Sequence, residues 1–307
     1  MNYDYDVIII GAGAAGMTAS IYASRFNLKT LLIGDILGGT TTEAHKIFNW
    51  PGEPGITGFE LMNKMSAHVK DSGGEILSDT VTDVVKEEAG FLIKTKNKEL
   101  RAKRVIITSG TKHRHLNLPR ETELLGRGVS YCATCDALFF QKSRVALVGG
   151  GNSVISAALY LADIADKVFV VCRSEALKGE PLWRDELIKR ANVSIIYETN
   201  VKRLVGQEKL EAIELDKEYE GSNILAVDGL FVEIGLTPQS DLAKKLGANV
   251  DELDYIVVNK DMSTSIEGLY AAGDSTNASN NFHQIVTACG EAAVAAESVY
   301  RSLSIAQ

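Results

Sequence analysis

The chain has 307 residues, which is enough for two ordinary domains that each bury their own core. Charged residues make up 23% of it and residues of the AVILMFWYC set 45%, as in soluble globular proteins. The net charge of -8 gives no reason to expect binding to nucleic acid or to an anionic membrane surface.

The N-terminal segment MNYDYDVIIIGAG is acidic, and its apolar run is far shorter than a signal-peptide core or a membrane span. No later run reaches spanning length. Four cysteines are too few for a secreted disulfide scaffold. We therefore expect a cytoplasmic protein, in which a close cysteine pair is catalytic or metal-binding rather than structural.

The order of predicted elements repeats along the chain. Residues 6–34 and 144–173 both read as a buried strand, a glycine turn, a helix and a second strand. Residues 80–110 and 192–235 then alternate between polar and apolar side chains, which predicts an antiparallel meander leading into a closing strand. The pattern predicts an α/β fold of two Rossmann-like dinucleotide-binding domains in a three-layer ββα arrangement.

The segment TSIEGLYAAGD, residues 264–274, follows the second copy and has no counterpart within it. We therefore expect the second copy, residues 115–240, to be inserted into the first, residues 1–114 and 241–307. Two connections then cross one boundary, an arrangement that favours hinge motion.

The run Gly11-Ala12-Gly13-Ala14-Ala15-Gly16 lies between a predicted strand and a predicted helix, the context that a dinucleotide-binding loop needs. The first glycine permits a tight turn, the second admits a pyrophosphate, and the third lets helix and strand pack closely. An NADH site would have an acid where the second strand ends. Gly34 stands there with Asp35 next, so the sequence leaves the ribose contact open.

Cys132 and Cys135 stand in the segment YCATCDAL, which allows a metal site, a redox disulfide or a simple turn. A structural zinc site needs four ligands, and Cys172, Cys289 and the histidines offer no second ligand pair nearby. A dithiol needs only two sulfurs about one helical turn apart. A helix predicted from CDALFF would stabilise a thiolate at its N-terminus, so the pattern favours a redox pair.

TSIEGLYAAGD resembles the second FAD signature of flavoproteins that have two dinucleotide-binding domains. With NWPG at 49–52, GRGVSYCATCD at 126–136 and the inserted nucleotide fold, the whole chain resembles the low-molecular-weight thioredoxin reductases. Related flavoproteins without disulfide chemistry keep the glycine loops but lack the cysteine pair.

This resemblance implies a homodimer whose first domain binds FAD and whose inserted, NAD(P)-like domain rotates to serve flavin and thioredoxin in turn. It implies that Cys135 takes electrons from the flavin, that Cys132 attacks the disulfide of thioredoxin, and that Asp136 gives a proton to the departing thiolate. It places the following residues at the FAD: Gly11, Gly13, Ala14, Ala15, Gly16, Asp35, Gly39, Thr40, Asn49, Gly110, Gly273, Asp274, His283 and Gln284.

Two of these positions depart from the family. The usual glutamine after the glycine pair is Thr40, and the usual arginine before Gln284 is His283. Both lie where the resemblance puts the flavin ring, so we expect an altered flavin environment.

The second glycine loop departs further. Members that use NADPH have GGGxSAxEEA, whereas residues 149–158 read GGGNSVISAA, and Cys172-Arg173-Ser174 with Lys178 replaces their HRRxxxR clamp. One arginine and one flexible lysine hold a phosphate less well than a bidentate arginine cluster. The residues that remain for a possible nucleotide site are Gly149, Gly151, Asn152, Ser153, Arg173 and Lys178.

We therefore expect electrons to reach the FAD from ferredoxin or another carrier rather than from NADPH. Two alternatives stay open at this point. One is an ordinary NADPH-dependent reductase with an altered clamp. The other is a flavin redox sensor or electron-transfer protein whose cysteines do not turn over a substrate.

Overall fold

The computed structural model describes residues 2–44, 47 and 49–304, except the side chains of residues 43, 134, 135 and 281. The chain forms two compact units, residues 1–112 with 237–307 and residues 113–236. The sequence-based limits of 114 and 240 lie within four residues of these boundaries. In the described part of the chain, no helix is both long and apolar enough to cross a membrane.

The strands are β1 (Tyr5–Ile10), β2 (Thr30–Ile33), β3 (Glu75–Leu77), β4 (Val81–Lys86), β5 (Phe91–Thr95), β6 (Glu99–Ile107), β7 (Thr111–His113), β8 (Val129–Ser130), β9 (Arg144–Val148), β10 (Lys167–Val171), β11 (Val193–Ile196), β12 (Val201–Val205), β13 (Ala212–Tyr219), β14 (Ser222–Ala226), β15 (Gly229–Val232), β16 (Leu236–Pro238) and β17 (Leu269–Ala271). The α-helices are α1 (Ala14–Arg25), α2 (Gly58–Asp71), α3 (Ala133–Asp136), α4 (Asn152–Ala162), α5 (Pro181–Ile188), α6 (Asp241–Lys245) and α7 (Ile285–Ser304). Short 3-10 helices cover Gly39–Glu43, Ala137–Phe140 and Ser279–Asn281.

The parallel strands of the first unit lie in the order β3-β2-β1-β6-β17, and the antiparallel pair β4-β5 continues from the N-terminal half of β6. Strand β1 shows why three layers form. Its residues Val7 and Ile9 pack with α1 and α7, whereas Ile8 and Ile10 pack on the side of the β4-β5 meander. Alternate side chains of a buried strand point to opposite faces, so the strand is apolar throughout.

The second unit repeats this design. Its parallel strands lie in the order β11-β10-β9-β15-β8, and β12-β13-β14 form an antiparallel sheet. On β9, Val145 and Leu147 pack with α4, whereas Ala146 and Val148 pack with the β12–β14 meander. The predicted fold class, two Rossmann-like α/β domains with the second inserted into the first, is confirmed.

Two details differ from the prediction. Residues Val193–Ile196, expected to open the second meander, join the parallel sheet as β11, and the meander begins at β12. The closing strand β17 of the first unit does have a counterpart, because β8 pairs with β15 at the same edge of the second sheet. Strand β8 is only two residues long and precedes its domain core, so no alternation pattern reveals it.

A stability prediction comes from the third glycine of the first loop. A Cβ at Gly16 would lie 1.8 Å from the backbone oxygen of Gly11, so Gly16→Ala should lower the free energy of unfolding by at least about 2 kcal/mol. Gly290, in helix α7, has no heavy atom within 4 Å of its Cβ position, and Gly290→Ala is the matched control. We expect that control to stabilise by about 0.5–1 kcal/mol. Urea unfolding followed by circular dichroism measures both, and equal stability of the two variants would contradict the packing argument.

Candidate functional site

The first glycine loop leaves space at one of its three glycines. Gly11 has a φ of +115°, and a Cβ there would lie 2.2 Å from the backbone oxygen of Thr108. At Gly13, by contrast, the nearest atom to a Cβ is the oxygen of Gly38, 3.9 Å away. The first and third glycines are therefore required by packing within the protein, and the second leaves room for a ligand.

The surroundings of Gly13 suit an anion. Gly13 is the N-cap of α1; no described side chain caps this helix end, and no acidic residue stands in its first turn. Ala14 and Ala15 follow as small buried residues. Gly39 faces the same loop, since its Cβ position is 3.3 Å from the Cα of Gly13. Backbone N–H groups at a helix N-terminus bind phosphate groups, so this loop is suited to a pyrophosphate.

The end of β2 explains why no acid stands there. A Cβ at Gly34 would lie 2.6 Å from the Cβ of Ala12, so a side chain at this position would collide with the glycine loop. The first acid is therefore Asp35, which is exposed. Thr40 is exposed as well, and Gly110 lies after β6 with a φ of +64° and open space at its Cβ position. The structure gives these three predicted residues no described contact with the rest of the site.

Gly273 and Asp274 follow β17 and come close to the glycine loop. A Cβ at Gly273 would lie 2.9 Å from the Cβ of Ala15. The N–H of Gly273 donates to the Glu291 carboxylate at 2.8 Å, and the Thr276 hydroxyl donates to the same oxygen at 3.1 Å. Glu291 is 8% exposed and holds the backbone just before Asp274.

The carboxyl of Asp274 is shielded from solvent by neighbouring groups. Burial raises its pKa, the nearby charge of Glu291 raises it further, and His283 acts in the opposite direction. An acid held in such surroundings is stabilised by a hydrogen bond or cation supplied from outside the protein. Asp274 is therefore a candidate binding residue, because a ligand group that donates a hydrogen bond to it would stabilise its charged form.

Three predicted residues from two distant segments of the chain meet at the start of α7. The Asn49 side-chain amide donates to the Gln284 side-chain oxygen at 2.8 Å, across 235 positions. The Gln284 side-chain nitrogen donates to the backbone oxygen of His283 at 2.8 Å. The His283 ring packs against Tyr255 with centroids 5.1 Å apart. The NWPG segment and the HQ pair thus belong to one site.

In the glycine loop of the second unit, as in the first, one glycine is tightly packed and another has free space at its Cβ position. A Cβ at Gly149 would lie 2.2 Å from the backbone oxygen of Glu233, whereas Gly151 has no heavy atom within 4 Å of its Cβ position. Val154 stands where the first loop has Gly16, and it is fully buried in the core under α4. The core under α4 therefore accommodates the branched Val154, and the backbone at Gly151 still leaves space for a ligand.

The segment after β10 packs over this second loop. The N–H of Lys178 donates to the backbone oxygen of Gly150 at 2.7 Å, and the N–H of Glu180 donates to the Asn152 side-chain oxygen at 2.7 Å. The side chains of Ser153, Arg173 and Lys178 are exposed. The backbone of a dinucleotide site is present here, with Arg173 and Lys178 available beside it.

The cysteine segment forms less helix than CDALFF predicts. One α-helical turn, Ala133–Asp136, passes into the 3-10 turn Ala137–Phe140, so the helix-dipole effect on a thiolate is small. Cys132 is disulfide-bonded, and its N–H donates to the Ser130 hydroxyl at 3.0 Å. The N–H of Asp136 donates to the backbone oxygen of Cys132 at 3.2 Å. The Cys135 side chain lies outside the described residues.

The other two cysteines are free thiols. Cys172 is buried, and its sulfur would lie 3.0 Å from a Cβ at Gly150. Burial raises the pKa of the Cys289 thiol, which disfavours its reactive thiolate form. Among the described residues, no group of three histidine, cysteine, aspartate or glutamate side chains is placed to hold a metal ion.

Sequence reasoning missed two features. Glu291 is one: its signal is a single acid inside the apolar run ACGEAAVAA of α7. The other is the contact network of Tyr131, whose hydroxyl donates to the buried Glu121 carboxylate and meets the ring nitrogen of His115 at 2.5 Å. Burial and the hydrogen bond to Glu121 raise the pKa of Tyr131. No short motif links these three residues, so this network needed the structure.

Comparison with known proteins agrees with this geometry. The family model described as pyridine nucleotide-disulphide oxidoreductase matches residues 5–292. The chain belongs to this family. A curated relative, thioredoxin reductase from Bacillus subtilis, is 39% identical over 302 residues, covering 96% of this chain and 93% of the relative.

Solved structures of family members cover nearly the whole chain. A crystal structure of Lactococcus lactis thioredoxin reductase matches with a TM-score of 0.93 and 33% identity, over 98% of this chain and 100% of that one. The T. acidophilum thioredoxin reductase matches with a TM-score of 0.91 and 37% identity, over 99% and 100%. A ferredoxin-flavin thioredoxin reductase from Clostridium acetobutylicum matches with a TM-score of 0.53 and 32% identity, over 98% of each chain. The chain thus has the low-molecular-weight thioredoxin reductase fold.

Family membership makes this pyridine nucleotide-disulphide oxidoreductase a flavoenzyme, with FAD as its cofactor. The first unit fits that cofactor on its own contacts. Gly13 offers open backbone beside a helix N-terminus, and Asp274 is a shielded carboxyl with a raised pKa. In the described part of the chain, the buried Nε2 atom of His283 has no hydrogen-bond partner.

Asp274 yields a prediction with opposite effects on folding and on binding. Its pKa is raised in the folded chain, so the folded state binds more protons than the unfolded state between the ordinary and the raised value, and stability falls as pH rises through that window. Asp274→Asn does not titrate. Without FAD, the variant should therefore be more stable than wild type at pH 7, with a difference that shrinks as the pH falls towards 4.

With FAD, Asp274→Asn should bind the cofactor more weakly, because the carboxylate acceptor is lost. Urea unfolding at several pH values and flavin fluorescence titration measure the two effects. Glu267→Asn, on the turn before β17, is the control and should change neither. A flavin-free variant that is less stable than wild type at pH 7 would contradict the assignment of Asp274.

Proposed function

We propose that this chain is a thioredoxin reductase whose electrons come from a ferredoxin-like carrier rather than from NADPH. Its redox-active disulfide joins Cys132 to Cys135, and its substrate is thioredoxin or a thioredoxin-like protein. The observation that carries the proposal is the state of the cysteines: Cys132 is disulfide-bonded, whereas Cys172 and Cys289 are free.

The redox step balances within this pair. Two electrons and two protons convert the disulfide into two thiols. The Cys132 thiolate then attacks one sulfur of the thioredoxin disulfide and forms a mixed disulfide with it. The Cys135 sulfur next attacks Cys132 in this mixed disulfide, so that thioredoxin leaves as a dithiol and the Cys132–Cys135 disulfide forms again. Asp136, directly after the pair, supplies a proton to the departing thiolate.

The neighbours of Cys132 support this use. Ser130 holds the Cys132 backbone through two hydrogen bonds, at 3.0 Å from its N–H and at 3.2 Å to its oxygen. Because α3 is one turn long, the segment has few intrahelical bonds to break when the disulfide opens and closes. Leu138 and Phe139 follow as exposed apolar side chains, 62% and 83% exposed, next to the pair.

When bound in the first unit, FAD would supply the two electrons. We assign its pyrophosphate to Gly13 and the N-terminus of α1, its ribityl chain to Asp274, and its ring to the surface formed by Asn49, Gln284 and His283. These groups come from four separate segments of one unit and are already held by internal hydrogen bonds. A prearranged site of this kind loses little conformational entropy on binding.

The second glycine loop and the residues beside it bear on the identity of the electron donor. Gly151 leaves backbone space for a dinucleotide, so the loop itself does not exclude NADPH. The phosphate clamp argues against NADPH, because Ser174 and Lys178 stand where the resemblance implies arginines that bind the 2′-phosphate. The chain is also 32% identical, over 98% of its length, to a protein named ferredoxin-flavin thioredoxin reductase, which supports a ferredoxin-like donor. We also propose that the enzyme is a cytoplasmic homodimer whose second unit rotates about the two connections.

The cysteine assignment is tested by substitution. Cys135→Ser should reduce thioredoxin turnover to the uncatalysed background while FAD stays bound, because the flavin then has no disulfide to reduce. Cys172→Ser, in the same unit, is the control and should keep wild-type turnover. The assay supplies reduced enzyme continuously and counts thioredoxin disulfides reduced per flavin. Unchanged turnover in Cys135→Ser removes the assignment, and a single event per flavin in wild type favours the redox sensor.

The donor assignment is tested by bleaching of the flavin without oxygen. At micromolar NADPH, wild type should lose its visible flavin absorbance at least about a hundredfold more slowly than with reduced ferredoxin, because two charged contacts to the 2′-phosphate are weakened or missing. The double variant Ser174→Arg with Lys178→Arg should bleach faster with NADPH, and Lys189→Arg on the exposed end of α5 should not. Rapid stoichiometric bleaching of wild type by NADPH would show an ordinary NADPH-dependent reductase.

A further inference from the structure

The imidazole of His283 carries a buried nitrogen that the protein leaves unsatisfied. Within the described residues, its Nε2 atom has no hydrogen-bond partner. A buried polar atom without a partner costs free energy, so such an atom usually faces a group that binds there. His283 stands directly before Gln284, whose side-chain oxygen accepts from Asn49, and helix α7 begins one residue later.

His283 interacts electrostatically with the Asp274 carboxyl. The Asp274 carboxyl lies within electrostatic range, and Glu291 on α7 lies behind it with its carboxylate bonded to the N–H of Gly273. Tyr255 covers one face of the ring. The charged groups that act on the Asp274 carboxyl are His283 and Glu291, and a protonated His283 is the cation among these three.

We propose that His283 is the proton-accepting residue of the flavin site, which takes up one proton each time the bound FAD is reduced. The proposal rests on the placement of FAD in the first unit. An arginine, which the resemblance implies at this position, is charged at every working pH. Histidine ordinarily gains or loses its charge between about pH 5 and 8, so its charge can follow that of the flavin.

In this proposal, reduction of the flavin site takes up two electrons and two protons. Two electrons from the reduced iron–sulfur carrier, with one proton, reduce the flavin and leave one additional negative charge in the site. His283 takes a second proton from solvent at Nε2, and the new cation offsets that charge. When the two electrons pass to the cysteine disulfide, two protons leave the flavin site and two are taken up by the cysteine sulfurs, so that two thiols form and His283 returns to its neutral form.

The test is a redox titration of the FAD-loaded protein with dithionite and mediator dyes, without oxygen, from about pH 6 to 8. The slope of the midpoint potential against pH gives the number of protons taken up per two electrons. The ultraviolet spectrum of the reduced flavin shows whether the flavin itself is anionic or neutral. For wild type we expect two protons per two electrons together with the spectrum of the anion, which places the second proton on the protein.

Variants then locate that proton. His283→Arg, which keeps the charge but does not titrate, should take up one proton per two electrons, so that the slope falls by half. His283→Gln should show the same halved slope with a more negative midpoint potential at pH 6, because it offers no positive charge. His68→Arg makes the same change on the exposed face of α2 in the same unit and should keep the wild-type slope.

Three results would overturn the proposal: one proton per two electrons in wild type, a neutral reduced flavin in wild type, or a slope unchanged in His283→Arg. The first two need no variant, so a variant that fails to fold leaves the proposal testable. A folded wild-type chain that carries no flavin would refute the FAD assignment, whereas a flavin-loaded chain with any of these slopes refutes only the role of His283.

Discussion

The close backbone approach at the two glycine loops is the constraint on which both units depend. In each loop the first glycine lies against the backbone of a neighbouring strand end, where a Cβ would come within 2.2 Å of a carbonyl oxygen. This contact brings the N-terminus of a helix to the carboxyl edge of a parallel sheet, and the glycine two residues further on, Gly13 or Gly151, has open space at its Cβ position. A ligand phosphate can then meet backbone N–H groups without a competing side chain.

Around the first loop, the polar contacts within the protein position the backbone and side chains of the site rather than neutralise the charge of the Asp274 carboxyl. Glu291 accepts two hydrogen bonds from the segment that presents Asp274, and Gln284 joins Asn49 to the start of α7. The groups left over are a carboxyl with a raised pKa and an imidazole nitrogen without a described partner. Both lie in the first unit, to which we assign FAD, and both are available to contact a ligand there.

The cysteines divide by environment in a way that composition does not show. Cys132 is disulfide-bonded on a single helical turn, whereas Cys172 is buried under the second loop and burial raises the pKa of the Cys289 thiol. A reactive thiolate needs exposure and a lowered pKa. Cys172 lacks the exposure and Cys289 lacks the lowered pKa, which supports the proposal that exchange chemistry takes place at the CATC segment.

The sequence by itself determined the fold class, the two glycine loops and the redox segment, because each rests on local signals: apolar strands, glycines at fixed spacing, and two cysteines one turn apart. It also located Asp274 and the HQ pair through their motif. Only the tertiary structure decided how these pieces meet. The hydrogen bond between Asn49 and Gln284 spans 235 positions. Position 34 has to be glycine because a side chain there would collide with Ala12. The two-residue strand β8 is recognised only through its pairing with β15. In the sequence, Glu291 is an ordinary acidic residue of a helix, and only the structure shows that its carboxylate accepts a hydrogen bond from the N–H of Gly273, just before Asp274. Contacts between distant segments depend on packing in three dimensions, and no local pattern encodes them.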